Sequence, residues 1–120
     1  MSATEQTHNR PSEYSVWRRK LGQPSIDIDM VEIRDGKPVA LFALTHCYTK
    51  ETIFQNKPII LARTATERLT MQQLARACSI PAFYVIYTLD CKHFLVIDLF
   101  TMAEIPMEEA EYIRFLNSLK

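Results

Sequence analysis

Apolar residues crowd the middle of this 120-residue chain and thin out at its start. Met1 to Pro11 has almost nothing to bury, which predicts a loose, flexible tail and a single domain over residues 12–120. Ser12 offers a helix N-cap, with Glu13 in the first turn and apolar Tyr14, Trp17 and Leu21 following, before Gly22 and Pro24 end the element. In that reading Trp17 anchors the helix on the core. Ser25 to His46 predicts a β-hairpin turning at Arg34-Asp35-Gly36-Lys37. Its second strand is nearly unbroken in apolar residues from Pro38 to Leu44, as in a strand covered on both faces.

Residues 48–63 carry mixed signals: Lys50 and Glu51 look like loop, Lys57-Pro58 is a breaker, and Ile59 to Ala62 is too short for periodicity to decide. The segment reads as loop. Thr66 to Cys78 predicts a helix with Leu69, Leu74, Ala77 and Cys78 near one apolar stripe, stopped at Ser79-Ile80-Pro81. Ala82–Tyr87 and His93–Asp98 predict two strands joined by a tight turn at Asp90-Cys91-Lys92. Pro106-Met107-Glu108-Glu109 opens a last helix, whose Tyr112, Ile113, Phe115, Leu116 and Leu119 supply a buried face. The expected fold class is α/β (α+β), a mixed central sheet of about four strands flanked by helices.

Composition narrows the function classes. A hydrophobic content of 48% suffices for a core without staples. Fourteen basic and fourteen acidic residues cancel, so no overall field draws the protein onto nucleic acid. Three cysteines without C-x-x-C spacing argue against a disulfide framework and a zinc site, and suggest reduced thiols in a cytoplasmic setting. No signal peptide and no apolar run of membrane-spanning length is present, so no membrane association is expected.

The candidate chemistry lies in the hairpin. Asp27 and Asp29 are two apart and share one strand face, and Ala43 and Thr45 share a face of the next strand. The stretch SIDIDMVEIRDGKPVALFALTH resembles the PD-(D/E)XK (restriction-endonuclease-like) nuclease superfamily, in particular its short phage and bacterial members, which read roughly D-I-D-x-V-E-Y-R-x-G-K-P-V-A-L-I-E-x-K. LARACSIPAFYVIY is similar to their helix-to-strand passage, and MEEAEYIRFLNSL to their closing helix. The resemblance implies a restriction-endonuclease-like core. It also implies a site in which an Asp and the Glu of ExK hold divalent metal while the Lys steadies the attacking water or the phosphate. On this chain the Asp falls on Asp29, with Asp27 as alternative, and the ExK positions fall on Ala43 and Thr45. One metal-ligand carboxylate and the fixed cation are thus replaced. Glu13, Gln72 and Gln73 stand where some superfamily members carry accessory groups, while Glu32 and His46 fall on the opposite strand face.

These readings lead to the expectation of a catalytically inactive nuclease-like domain that binds a protein partner and needs no cofactor. A phage or mobile-element protein that inhibits or modulates a host defence complex fits that description. Two alternatives stay open: a nuclease using Mg or Mn through relocated residues, with Asp29 as a metal ligand, and a nucleic-acid-binding remnant. A simpler account of Asp27 and Asp29 is solvated residues at a sheet edge. For Arg18-Arg19-Lys20 it is a solvated helix face. Phe100, Met102 and Met107 suit a partner surface or the core equally.

Overall fold

A computed structural model describes residues 12–120. The expected tail, residues 1–11, lies outside the described residues. The fold is α+β: four helices and a five-stranded mixed sheet. In chain order the elements are α1 (Ser12–Arg19), β1 (Met30–Arg34), β2 (Lys37–Cys47), α2 (Lys50–Arg63), α3 (Ala65–Cys78), β3 (Ala82–Thr88), β4 (His93–Asp98), β5 (Glu104–Glu108) and α4 (Glu109–Ser118). The strands lie in chain order, β1-β2-β3-β4-β5. Only β2 and β3 pair in parallel, because α2 and α3 intervene and carry the chain back across the sheet.

The hairpin forms as its turn chemistry requires, but its first strand begins only at Met30, so Asp27 and Asp29 lie in the segment before it and do not share a strand face as expected. Asp35 and Gly36 both have positive φ, 52° and 74°, as a two-residue turn matching the strand twist demands. Ala40 to Ala43 are all buried, because β2 is covered on both faces. On one face α2 and α3 bury Leu41, Ala43, Tyr84, Ile86, Leu95 and Ile97 against Ile53, Ile60, Met71 and Ala75. On the other, Phe42, Phe83, Val85, Phe94 and Val96 receive Tyr112, Phe115, Leu116 and Leu119 from α4. Phe115 meets Phe83 edge-on at 5.0 Å, and Tyr112 stacks on Phe94 at 4.0 Å. Each such aromatic pair adds ~0.5–1.5 kcal/mol beyond its buried area.

Four further expectations are corrected. Residues 48–63 are not loop: Lys50–Arg63 is a helix, capped where the Thr49 hydroxyl accepts from the Thr52 N–H at 3.2 Å and the Thr52 hydroxyl accepts from the Thr49 N–H at 2.9 Å. Pro58 stays inside it, since tertiary packing of Ile53 and Ile60 outweighs the lost hydrogen bond. Pro106 does not open the last helix but sits in a fifth strand, opposite Leu95, at the sheet edge where a missing N–H is tolerated. Trp17 is not a core anchor. It is 53% exposed on a helix that no other element approaches closely. Finally, α3 turns Met71 and Ala75 to the core and leaves Leu69, Leu74, Ala77 and Cys78 exposed, about a third of a turn from the expected stripe.

Among the described residues no helix is long and apolar enough to cross a membrane. All three cysteines are free, Cys47 buried, Cys78 and Cys91 exposed.

Candidate functional site

The rotation of α3 brings polar groups onto the core-facing row. Glu67 stands one turn before Met71 and two before Ala75, so it points toward the sheet. At the junction of α2 and α3, Thr64 donates its hydroxyl to the Ile60 carbonyl at 2.8 Å. Arg68 then spans the junction, donating from Nε to the Thr64 hydroxyl at 3.1 Å and from Nη2 to the Leu61 carbonyl at 2.6 Å. The guanidinium is thereby fixed beside Glu67.

Across from this row lies the hairpin site. Ala43 pairs with Tyr84 and Thr45 with Ile86 in the parallel register, so all four side chains share the face covered by α2 and α3. Ala43 is 0% exposed. The small Ala43 leaves room for the neighbouring Tyr84 ring, whose hydroxyl lies 2.5 Å from the Thr45 hydroxyl. Asp29, just before β1, accepts the Leu44 N–H at 2.8 Å through Oδ2, which ties the incoming segment to β2 at the end of the regular ladder.

The charges of Asp29 and Glu67 reach this buried phenol. Burial first, then the carboxylate of Glu67 and that of Asp29, push the Tyr84 hydroxyl up, outweighing the Thr45 and Thr64 hydroxyls that pull it down. Tyr84 thus keeps its proton at neutral pH. Glu67 is raised as well, by burial and then by Asp29, against the opposing charge of Arg68. Chemically the site is two carboxylates facing a neutral phenol and two threonine hydroxyls, with one arginine held at its rim.

The structure brings Asp29, Ala43 and Thr45 together and separates the other candidates from them. Asp27 lines a cavity of about 430 Å³ with Tyr14, Ser15, Arg18 and Arg19 of α1. Glu13 lies on α1 beside Val16, Trp17 and Lys20, on a helix that does not approach the sheet closely. Gln72 donates Nε2 to the Leu99 carbonyl at 2.9 Å, and Gln73 is exposed. Glu32 does lie on the face covered by α4: it accepts from Arg34 at 3.1 Å and its charge acts on Tyr112, which burial above all pushes to about 12. Glu67, Tyr84 and Thr64 were not among the sequence candidates. A signal for Glu67 exists in its four-residue spacing from Met71 and eight-residue spacing from Ala75.

Ala43 offers no ligand, one Asp29 oxygen is engaged by a backbone N–H, and among the described residues no three His, Cys, Asp or Glu side chains are grouped to hold an ion. No protein-family profile, no curated protein and no solved structure matches this chain.

Proposed function

We propose that this protein is a nuclease-like domain without catalysis that acts by binding another macromolecule, a protein partner. The observation that carries the reading is the filling of the hairpin site: Ala43 is fully buried beside Tyr84, and the Thr45 hydroxyl is taken by the Tyr84 phenol. Where the resemblance implies a ligand carboxylate and a catalytic lysine, this chain has a methyl group and a hydroxyl engaged in the core. Phosphodiester hydrolysis needs cationic neutralisation of developing charge, and the Arg68 guanidinium is already spent on Thr64 and Leu61. A protein partner is favoured over nucleic acid because fourteen basic and fourteen acidic residues cancel and leave no net charge to draw the chain onto phosphates. Arg18 and Arg19 end α1 and Lys20 follows it, while Arg34, Lys37 and Lys120 line a separate cavity of about 640 Å³ that Asp35 shares. A role as inhibitor of a host defence complex would use such a neutral surface, and it rests on fold-level analogy.

One observation favours a second reading, a nuclease with relocated ligands: Asp29 lies close enough to Glu67 for its charge to oppose ionisation of the Glu67 carboxyl. Calorimetric titration with magnesium chloride and manganese chloride alone separates the two. The binding-protein reading expects no saturable heat. Micromolar affinity, abolished by both Asp29→Ala and Glu67→Gln, would favour the nuclease.

A further inference from the structure

The two edges of the sheet are built differently. At β5, Pro106 removes a backbone donor from the middle of the strand, and Glu104 and Glu108 place charges at its ends. Glu104 is further tied by Lys57 at 2.6 Å. These are the usual devices that stop an edge from pairing with another strand. The β1 edge lacks a proline and exposes Met30 (49%), Val31 (43%) and Ile33 (54%).

Among the described residues no strand pairs with its outer side. Leu41, opposite Val31, gives its N–H to the Pro81 carbonyl on the β3 side at 3.0 Å, so Val31 has no ladder bond to β2. The register shift in the hairpin leaves Val39 unpaired on β2 and does not disturb the alternation along β1. By that alternation the peptide groups of Val31 and Ile33 point away from the sheet. The Ile33 carbonyl accepts from Arg34 Nη1 at 2.9 Å and keeps its second lone pair.

We propose that β1 pairs antiparallel with β1 of a second copy of this chain, about a two-fold axis at Ile33. The charges select both the occupant and the register. With Ile33 opposite Ile33, the ladder runs from Glu32 to Arg34, Val31 meets the turn of the other copy at Asp35, and Glu32 of each copy faces Arg34 of the other, giving two opposite-charge pairs by symmetry. A two-fold at Glu32 would set the carboxylates against each other instead. Within one chain Glu32 and Arg34 already meet at 3.1 Å, so both side chains lie on one face and are positioned to exchange partners. The pairing does not depend on the nuclease-like reading of the hairpin.

Sedimentation velocity of the full chain at tens of micromolar tests it. The wild type should sediment at twice the 13.9 kDa chain mass, and Ile33→Lys, a change at an exposed site, should sediment at the single mass with unchanged circular dichroism. Glu32→Arg and Arg34→Glu should each be monomeric alone and form a heterodimer when mixed, since mixing restores opposite charges across the axis. A monomeric wild type, or a dimer that Ile33→Lys leaves intact, would overturn the proposal. Because Arg34 also donates to the Leu116 carbonyl at 2.9 Å, Arg34→Glu can lose stability, and the Ile33→Lys result then decides alone.

Discussion

Replacing Ala43 with Glu restores the carboxylate that the nuclease pattern implies, and the structure says that the fold resists it. The position is fully buried and sits beside Tyr84 in the parallel register, so the new side chain meets the phenol ring. Overpacking a filled site costs ~1–3 kcal/mol. Burying a polar group without adequate partners costs a further ~1–3 kcal/mol on mutational scales. The sum, roughly 2–6 kcal/mol, is a large part of the ~5–15 kcal/mol that holds a domain together, and corresponds to a fall in Tm of about 10–25 °C. The deficit should depend on pH. A carboxyl forced into this environment has a folded pKa above its unfolded one, so the native state binds the extra proton and stability falls as pH rises through that interval. Urea unfolding of Ala43→Glu should therefore show a smaller loss at about pH 4 than at about pH 8. Adding Tyr84→Ala, itself destabilising, should cost less in the Ala43→Glu background than in the wild type, because the ring no longer occupies the space. An Ala43→Glu protein within about 0.5 kcal/mol of wild type at both pH values would refute the reasoning and mean an open groove above β2.

Two further outcomes follow from the same cluster. Tyr84→Phe should destabilise by ~1 kcal/mol in denaturant unfolding by orphaning the Thr45 hydroxyl, and adding Thr45→Val should cost little more, since both ends of one hydrogen bond are then gone. Glu67→Gln should raise stability at about pH 7 and lose that gain at about pH 3: the raised folded pKa of Glu67 penalises the native state only once pH climbs past the ordinary carboxylate value.

The hairpin was the most legible part of the chain, because Asp35-Gly36 admits few turns and an apolar run such as Val39–Leu44 must be covered on both faces. The β3–β4 pair was legible for the same reason. Helix α2 was not, since a proline signals a break locally while its hold on the core comes from Ile53 and Ile60, seven residues apart with Gln55, Asn56, Lys57 and Pro58 between them. β5 was misread because Pro106-Met107-Glu108-Glu109 suits a helix N-terminus, and only pairing with β4, a long-range fact, makes it a strand. At the candidate site, spacing correctly brought Ala43 and Thr45 onto one face. Glu67 escaped because exposed Leu69 and Leu74 mimic a core stripe on α3, and Tyr84 because it reads as one more apolar residue in a buried strand.

The most direct test of the central claim is a cleavage assay of the unmodified chain on single- and double-stranded DNA and RNA, with magnesium or manganese supplied. No cleavage above the buffer control is expected, since Ala43 and Thr45 present a buried methyl and a hydroxyl bonded to Tyr84. Metal-dependent cleavage that persists through repeated purification and disappears in both Asp29→Ala and Glu67→Gln would contradict it, and would make the two facing carboxylates a working site.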